Sequence, residues 1–244
     1  MSRIFITGSA DGLGQLAARF LTDQGHQVVL HARNDDRGRE ALINVPNAET
    51  VLSGDLSNIE QTKELAHKVN KLGAFDAVIH NAGVYQVSGK LILAVNTLAP
   101  YVLTCLIQRP KRMIYLSSGI HLHGHLNLER FSKDISSVSY SDSKLHVLML
   151  SMAVANKWPD VYSNTVDPGW VPTKMGGKGA PDDLQKGYET QAWLAVSSDG
   201  KAKVSGSYFH HKREDHYNRQ ADDVLLQEKL LKACEALTGV SFPQ

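Results

Sequence analysis

The chain has 244 residues, and its 26 Lys and Arg against 25 Asp and Glu leave a formal net charge of +1. This balance argues against a nucleic-acid or membrane surface as the main partner, because such surfaces attract proteins through a dominant basic excess. The 42% of hydrophobic and 21% of charged residues are typical of a globular protein with a sizeable core rather than of a disordered or fibrous one.

Cysteine usage and the apolar runs give expectations about the compartment. Cys105 and Cys234 stand far apart and in no CxxC spacing, which indicates neither a disulfide framework nor a structural zinc site, and favours a reducing compartment. No apolar run approaches the ~20 residues of a membrane span, and Arg3 leads directly into an apolar run without the pattern of a signal peptide. A cytoplasmic protein is therefore predicted.

Short apolar runs of strand length alternate along the chain with longer segments of helical period, which is the pattern of parallel strands joined by crossover helices. Seven strands are predicted, at residues 4–7, 28–30, 49–53, 75–80, 112–117, 161–166 and 205–210. Because most of these runs are continuously apolar, they indicate a sheet that helices cover on both faces. The predicted fold class is therefore α/β, with a doubly wound, mostly parallel sheet of about seven strands.

A typical domain of ~150 residues leaves one or two domains open for this length. No repeat, low-complexity tract or linker marks a boundary, so one domain over residues 1–244 is predicted. Residues 169–187 crowd glycines and prolines with little apolar period, which indicates a mobile substrate loop, with an ordinary surface connection as the alternative. A C-terminal helix is predicted at residues 221–238.

The first strand runs into the glycine-rich segment Thr7-Gly8-Ser9-Ala10-Asp11-Gly12-Leu13-Gly14 and then into an amphipathic helix. In this context the glycines indicate a dinucleotide-binding loop, with a plain tight turn as the alternative. Gly8 permits the turn, Gly12 lets the backbone approach a pyrophosphate, and Gly14 lets the helix pack close to the strand. The helix N-terminus then offers free N–H groups and its positive dipole end to the phosphates.

The end of the second strand indicates which dinucleotide binds. An NAD site usually places a carboxylate there for the ribose 2′-hydroxyl, whereas an NADP site places an Arg for the 2′-phosphate. Here no acid stands at the strand end, and Arg33 follows immediately with a guanidinium that donates two parallel hydrogen bonds. NADP is therefore favoured, with NAD as the alternative. We assign Asp35 and Asp36 to the first turn of the next helix, where acids interact favourably with the helix dipole.

Seven short motifs follow one another, each after a predicted strand or in the next helix. They are Thr7-Gly8-x-x-x-Gly12-x-Gly14, Asp55-Leu56, Asn81-Ala82-Gly83, Asn96, Ser117-Ser118, Tyr140-x-x-x-Lys144 and Pro168-Gly169. In this order they resemble the short-chain dehydrogenase/reductase family, and the resemblance covers nearly the whole chain. It implies a Rossmann-type domain whose ligands lie in the crevice outside the carboxyl ends of the strands.

Together, the glycine loop, Arg33 and the resemblance predict a set of cofactor contacts. The predicted cofactor-binding residues are Gly8, Ser9, Asp11, Gly12, Leu13, Gly14, Arg33, Asp55, Leu56, Asn81, Ala82, Gly83, Tyr140, Lys144, Pro168, Gly169, Val171 and Thr173. Two of these segments have structural alternatives. Asp55 could serve as an N-cap or turn acid, and residues 81–83 could be a turn that braces the sheet.

Tyr140 and Lys144 are four residues apart in a segment of helical period, so their side chains share one helix face. A free phenol has a pKa of ~10, which is too high for acid–base catalysis at neutral pH. At an effective dielectric of ~20, an ammonium ~5 Å away would lower this pKa by about two units. The spacing therefore predicts a Tyr140 that titrates near the working pH and can act as a general acid or base.

The resemblance also implies the chemistry. NADPH would deliver hydride to a carbonyl carbon while Tyr140 protonates the oxygen, and Ser118 would hydrogen-bond that oxygen. Lys144 would also hold the nicotinamide ribose, and Asn96 would position a water that connects Lys144 with solvent. As an alternative, Asn96 could satisfy backbone groups in a helix bent near Pro100. The predicted catalytic residues are Asn96, Ser118, Tyr140 and Lys144. We choose Ser118 over Ser117 because the family usually uses the second residue of the pair.

His121, His123 and His125 would share one face of an extended segment, but the further ligands of a metal site are not identifiable, so no metal is predicted. We interpret residues 121–126 as lining the substrate side of the cleft. The apolar residues Trp170, Val171, Met175, Trp193 and Leu194 indicate a pocket for a moderately apolar carbonyl compound.

The resulting hypothesis is an NADPH-dependent oxidoreductase that interconverts a ketone or aldehyde and an alcohol. The alternative is a regulatory protein that senses NADP by binding it without turnover. The expected partners are a small-molecule substrate and further copies of the chain, as a homodimer or homotetramer assembled through the helices that carry Asn96 and Tyr140. No nucleic-acid or membrane partner is expected.

Overall fold

An eight-stranded sheet crosses the molecule in the order β3-β2-β1-β4-β5-β6-β7-β8. The computed structural model describes residues 1–128, 131 and 134–243, so the other positions of the predicted domain lie outside the described residues. The strands are β1 (Arg3–Ile6), β2 (Gln27–Ala32), β3 (Thr50–Ser53), β4 (Ala77–His80), β5 (Arg112–Leu116), β6 (Tyr162–Asp167), β7 (Ser207–His210) and β8 (Arg213–Glu214).

Strands β1 to β7 pair in parallel, and β8 returns antiparallel to β7. The order reverses between β1 and β4, which is the switch point where open α/β sheets place their ligand crevice. The predicted doubly wound α/β class is confirmed. Strand β8 was not predicted, because a strand of two exposed charged residues has no apolar run to mark it.

Helices cover both faces of the sheet. They are α1 (Gly12–Asp23), α2 (Asp35–Asn44), α3 (Ile59–Lys71), α4 (Gly89–Ile92), α5 (Ala99–Leu106), α6 (Tyr140–Lys157), α7 (Leu184–Val196) and α8 (Val224–Thr238). Side-chain oxygens start most of them: Asp11 caps α1, Asn34 caps α2, and Ser139 forms a capping box with Asp142 at α6. These capping residues therefore indicate in the sequence where α1, α2 and α6 begin.

The core lies in two layers, one on each side of the sheet. Helices α1, α2 and α7 pack on one face, around residues such as Ile6, Leu30 and Phe209. Helices α3, α5 and α6 pack on the other face, around Phe5 and Tyr115. This double cover explains why strands such as β4 are buried along their whole length.

The last helix covers two of the helices on the second face. Helix α8 packs along α6 and also contacts α5. Beyond α8, the Tyr101 hydroxyl of α5 donates to the Val240 carbonyl at 2.7 Å, and Trp158 packs against Phe242 with ring centroids 5.0 Å apart. The predicted helix at residues 221–238 corresponds to α8, preceded by a 3₁₀ turn at Arg219–Asp222.

Helices α4 and α5 are joined by a π-helical turn at Leu93–Leu98, which contains Asn96. Turns of this kind often occur at functional sites, because they open the regular hydrogen-bond ladder. By length and composition the stretch Gly89–Leu106 could cross a membrane, but 72% of it is buried inside the fold, as in the core helix of a globular domain.

The connection between β6 and α7 is irregular, and α7 begins at Leu184 after its N-cap Asp183. The glycine- and proline-rich stretch of the sequence therefore forms a long loop, whose last predicted residues belong to α7. Its mobility stays a prediction.

Candidate active site

A cleft of about 540 Å³ opens at the carboxyl ends of the parallel strands, beside the switch point. Six loops border it, following β1, β2, β3, β4, β5 and β6, and helix α6 forms its inner end. Of the predicted cofactor residues, the cleft is lined by Gly8, Asp11, Gly12, Leu13, Arg33, Asp55, Leu56, Asn81, Ala82, Gly83, Tyr140, Lys144, Pro168 and Thr173.

The glycine loop has the conformation that its glycines allow. Gly8 and Gly12 have φ values of 64° and 54°, which disfavour residues with a side chain. Gly14 has a different role, because a Cβ there would lie 2.4 Å from Asn81 Nδ2. That amide donates to the carbonyls of Thr7, at 3.0 Å, and Gly8, at 3.2 Å. The Asn81 side chain thus braces the glycine turn, which is the kind of structural role that was the alternative for residues 81–83.

Ser9 and Gly14 do not line the cleft. The Ser9 hydroxyl is buried, donates to the Ile6 carbonyl at 2.9 Å and accepts from the His31 N–H at 2.8 Å. Gly14 is covered by Asn81 and by the Gly8 carbonyl. Both residues therefore shape the loop from behind it.

His31, at the end of β2, fixes the glycine loop from the side. Its Nδ1 accepts from the Gly8 N–H and its Nε2 donates to the Gly54 carbonyl, both at 2.9 Å. Burial lowers the pKa of His31 to about 4, so the ring is neutral at physiological pH. One neutral imidazole therefore connects the loops after β1 and β3, with both ring nitrogens in use.

The outer end of the cleft carries three cationic side chains: Arg33, Arg37 and Lys174. The Asp11 carboxylate accepts from Arg37 at 3.2 Å and from Lys174 at 2.5 Å, so it ties α2 and the β6–α7 loop to the glycine loop. Burial alone would raise the pKa of Asp11, but hydrogen bonds from Lys174 and the Gly12 N–H hold it below its usual value. Arg33 is exposed.

Tyr140 and Lys144 lie together at the inner end, as their spacing predicts. Lys144 Nζ is 5.3 Å from the Tyr140 ring centroid and donates to the Leu116 carbonyl at 2.9 Å. Lys144 is 5% exposed, and burial lowers its pKa from 10.5 to about 8, against the raising effect of Asp167. Tyr85 covers the tyrosine, with ring centroids 4.7 Å apart.

The expected lowering of the Tyr140 pKa is wrong for this structure. Burial raises it, and the negative charge of Asp167 raises it further. The lowering expected from Lys144 alone, in a medium of uniform polarity, is outweighed by the desolvation of the phenolate and by a carboxylate that the spacing of the helical pair cannot reveal. At neutral pH Tyr140 is therefore a protonated phenol.

The adjacent serines have different environments. Ser117 is 2% exposed, and its hydroxyl donates to the Lys144 carbonyl at 2.7 Å. Ser118 is less buried, and its side chain makes no capping bond to the 3₁₀ helix Gly119–His123 that it starts. Ser117 lines the cleft, although its hydroxyl is engaged by α6, whereas Ser118 lies outside the cleft lining. The choice of Ser118 for the substrate contact therefore stays a prediction.

Asn96 is buried beneath the cleft rather than in its wall. Its side chain accepts from the Val84 N–H at 2.8 Å and donates to the Val84 carbonyl at 3.0 Å and to Ser143 Oγ at 3.1 Å. A Cβ at Gly83 would lie 3.5 Å from both Asn96 Oδ1 and Lys144 Nζ. Asn96 therefore fastens the loop after β4 to α6, close to the ammonium group.

The three clustered histidines do not converge. His121 is buried: its Nε2 accepts from the Asn218 N–H at 3.2 Å, so its Nδ1 donates to the Ser118 carbonyl at 2.7 Å. His123 and His125 are exposed. The described residues contain no group of three or more His, Cys, Asp or Glu arranged to hold a metal ion.

On the substrate side, Met175 lines the cleft, and Trp170 is 61% exposed in the loop after β6. The expectation was wrong for two residues of α7, because Leu194 is buried in the core and Trp193 packs edge-on against Phe209. The 3.6-residue period of α7 could have placed them on its core face. Gly169 and Val171 also lie outside the lining, and Val171 is buried.

Sequence reasoning missed His31, Arg37 and Lys174 as residues of the cleft. Arg37 follows Arg33 at the spacing of one helical turn, so its position on the first turn of α2 was a usable signal. The sequence offers no such signal for His31 and Lys174, because their contacts join segments that are distant in the chain.

Comparison with known proteins agrees with the motif order. A family model described as short chain dehydrogenase matches residues 2–100. An oxidoreductase of Emericella nidulans is 45% identical over 256 residues, covering 100% of this chain and 99% of the relative. A short-chain dehydrogenase of Penicillium rubens is 40% identical over 260 residues and covers 100% of both chains.

Solved structures share the fold. A crystal structure of a protein from Mycobacterium paratuberculosis superimposes with a TM-score of 0.84 at 23% identity, covering 100% of this chain and 96% of that one. A short chain dehydrogenase from Shigella flexneri, complexed with NADP, has a TM-score of 0.68 at 20% identity, covering 87% and 97%. From the identity of its full-length relatives, the chain belongs to the short-chain dehydrogenase family of oxidoreductases.

Proposed function

We propose that the chain is an NADP-dependent oxidoreductase that transfers hydride between the nicotinamide and a carbonyl or alcohol carbon. The observation that carries this proposal is the position of Tyr140 and Lys144 at the inner end of a cleft whose outer end holds a glycine loop and three cations. A proton donor and a phosphate-binding end thus share one cavity. A protein that only senses the nucleotide needs the second feature but not the first.

The residues of the cleft fit such a dinucleotide. Gly8 and Gly12 leave room at the backbone where side chains would stand, and the N-terminus of α1 directs its N–H groups there. Arg33 and Arg37 suit a 2′-phosphate, and no carboxylate ends β2 to accept from a free ribose hydroxyl. The Shigella flexneri structure that shares this fold is complexed with NADP, which is compatible with this choice.

When bound, the cofactor supplies the hydride, and the protein supplies orientation and the proton. Tyr140 donates its phenolic proton to the carbonyl oxygen as this becomes an alcohol, and Ser118 donates a hydrogen bond to the same oxygen. Lys144 stabilises the phenolate that remains and contacts the ribose. Asn96 holds the loop after β4 against α6, which keeps Lys144 in reach of a water for proton return.

The high pKa of Tyr140 favours one direction. A neutral phenol is ready to donate a proton at pH 7, whereas alcohol oxidation needs the phenolate as a base. We therefore propose that carbonyl reduction is the faster reaction near neutral pH. The apolar side chains of Met175 and Trp170 near the cleft suggest a moderately apolar carbonyl substrate.

The test uses purified protein with NADPH and a panel of apolar ketones and aldehydes, followed by the absorbance of the reduced nicotinamide. We expect turnover in the wild type and a loss of at least about 10²-fold in Tyr140→Phe, which keeps the ring but removes the proton. Tyr162→Phe, on an exposed tyrosine of β6, is the matched control. Binding of NADPH without turnover of any carbonyl would instead favour a sensor, and activity that survives in Tyr140→Phe would refute the mechanism.

Two further expectations remain proposals. We also propose a cytoplasmic location, because the two cysteines stand in no pairing pattern, and a homodimer or homotetramer, by analogy with the family. Fractionation of the native source and size-exclusion chromatography with light scattering test them directly.

A further inference from the structure

A second cavity, of about 400 Å³, lies between the first half of α7 and the turn that joins β7 to β8. Helix α7 contributes Lys186, Glu189 and Thr190 to its wall, and the β7–β8 hairpin contributes residues 210–213. None of these residues lines the cleft described above. We call this second cavity the hairpin cavity.

The wall of the hairpin cavity has an excess of positive charge. Three cations, Lys186, Lys212 and Arg213, stand against the single carboxylate of Glu189. That carboxylate already accepts from Lys212 Nζ at 2.7 Å and from Gln185 Nε2 at 2.5 Å. Among the residues that the structure describes, neither Lys186 nor Arg213 has a carboxylate at ion-pair distance. The wall therefore holds two cations whose charge a ligand can neutralise.

Three further carboxylates lie near the cavity without lining it: Asp167, Asp182 and Asp183. Each of them accepts from a backbone N–H group of the β6–α7 loop or of the first turn of α7. They moderate the positive charge of the region, but they do not take the place of a ligand inside the cavity.

Two adjacent imidazoles complete the wall. The ring centroids of His210 and His211 are 3.7 Å apart, and His210 Nδ1 lies 3.3 Å from the Asp167 main-chain carbonyl. His211 Nε2, by contrast, is buried and has no hydrogen-bond partner in the part of the chain that the structure describes. A buried ring nitrogen without a partner is unfavourable, so a ligand oxygen that accepts from it would bind more tightly.

The hairpin turn has a backbone conformation that its residues disfavour. His211 and Lys212 have φ values of 49° and 62°, in the left-handed region. Two-residue turns with positive φ at both positions are usually built from Asn-Gly or Asp-Gly, because these residues tolerate that conformation. The Lys212 N–H donates to Thr190 Oγ1 at 3.1 Å, which fixes the turn against α7. The chain thus keeps an imidazole and an ammonium at the cavity at a cost in backbone strain, a combination that is common at binding sites.

We propose that the hairpin cavity is a second binding site, which takes the phosphate group of a small ligand with Lys186, Arg213 and His211 as its contacts. A phosphate group carries a charge of about −1.5 to −2 near neutral pH, which matches the two cations, and its oxygens also accept from an imidazole N–H. Inorganic phosphate and a small phosphorylated metabolite share this chemistry. The site does not depend on the proposed hydride transfer.

Histidine-ring NMR signals of the full chain test this site during titration with inorganic phosphate or ribose 5-phosphate at constant ionic strength. We expect the His210 and His211 signals to shift saturably. The His31 signal reports on phosphate in the cleft, and the signal of the exposed His67 on α3 should not move. Tighter binding of ribose 5-phosphate supports a phosphorylated metabolite as the ligand, and equal or tighter binding of inorganic phosphate supports free phosphate.

Substitutions of the cations assign the signals to the cavity. Lys186→Gln and Arg213→Gln should each weaken binding about tenfold or more, because each removes a charge-assisted hydrogen bond. Lys201→Gln, on an exposed lysine soon after α7, is the matched control and should leave binding unchanged. Arg37→Gln should affect the His31 signal alone.

The turn is tested by the double substitution His211→Asn and Lys212→Gly, with His210 as the reporter. We expect a higher midpoint in urea denaturation, because the strain is relieved, together with weaker phosphate binding. A higher midpoint without any loss of affinity would overturn the proposal. So would His210 and His211 signals that stay in place, that shift equally with sodium chloride, or that respond unchanged in both Lys186→Gln and Arg213→Gln.

Discussion

Replacing Lys144 by Met is predicted to destroy activity and to stabilise the cofactor-free protein. Lys144 is 5% exposed, and its pKa falls from 10.5 to about 8 on burial. Each pKa unit corresponds to about 1.4 kcal/mol, so keeping the ammonium charged in the fold costs about 3 kcal/mol at pH 7. Loss of the hydrogen bond to the Leu116 carbonyl destabilises the variant by about 1 kcal/mol. The free energy of unfolding of the variant should therefore exceed that of the wild type by about 2 kcal/mol.

The sign of the pH dependence follows from the direction of this shift. Below pH 8 Lys144 is charged in both folded and unfolded chains, and its burial cost is fully present. Between pH 8 and 10.5 the unfolded chain holds more of the proton than the folded one, so the wild type gains stability as the pH rises. The advantage of Lys144→Met should therefore shrink from pH 7 to pH 10.

Urea denaturation of the cofactor-free proteins at pH 7 and pH 10, followed by tryptophan fluorescence, measures this difference. Lys232→Met, on an exposed position of α8, is the control and should change stability by less than about 0.5 kcal/mol at both pH values. A Lys144→Met protein that is less stable than the wild type at pH 7, or whose advantage does not change with pH, would refute the reasoning.

Three other substitutions test the rest of the site. Gly14→Ala places a Cβ 2.4 Å from a hydrogen-bonded amide, and should cost at least about 2 kcal/mol in urea denaturation and weaken NADPH binding. Arg37→Gln should weaken NADPH about tenfold in fluorescence titration while leaving NADH unchanged, whereas Arg39→Gln, on an exposed residue of the same helix, should alter neither. Ser118→Ala should lower kcat about 10²-fold, whereas Ser117→Ala should mainly cost about 1 kcal/mol of stability; the reverse pattern would assign the substrate contact to Ser117.

The sheet could be predicted from the sequence because its physical basis is local. A strand buried on both faces is a continuous apolar run, as residues 77–79 show, and a strand-to-helix turn needs glycines at fixed spacing. The helical pair Tyr140 and Lys144 is equally local, since four residues span one turn. Strand β8 could not be predicted, because it is defined by its pairing with β7 and its own residues carry no strand pattern.

The electrostatics of the site could not be predicted in the same way. The Tyr140 pKa depends on Asp167, which reaches the site from β6, and on burial beneath Tyr85, which comes from the loop after β4. The bridge from Asp11 to Lys174 joins residues 163 positions apart. Such contacts are set by the packing of distant segments, which no spacing rule records.

The C-terminal cover on α5 and α6 has a consequence for assembly. Residues 240–243 and α8 shield apolar side chains at this face, among them Tyr101 of α5 and Trp158, which directly follows α6. The chain's own C-terminal part therefore covers this side of α5 and α6. A homo-oligomer built through this face would first have to displace a segment of its own subunit. Removing the residues after Gly239 should therefore expose these apolar side chains to solvent, and the shortened chain should self-associate.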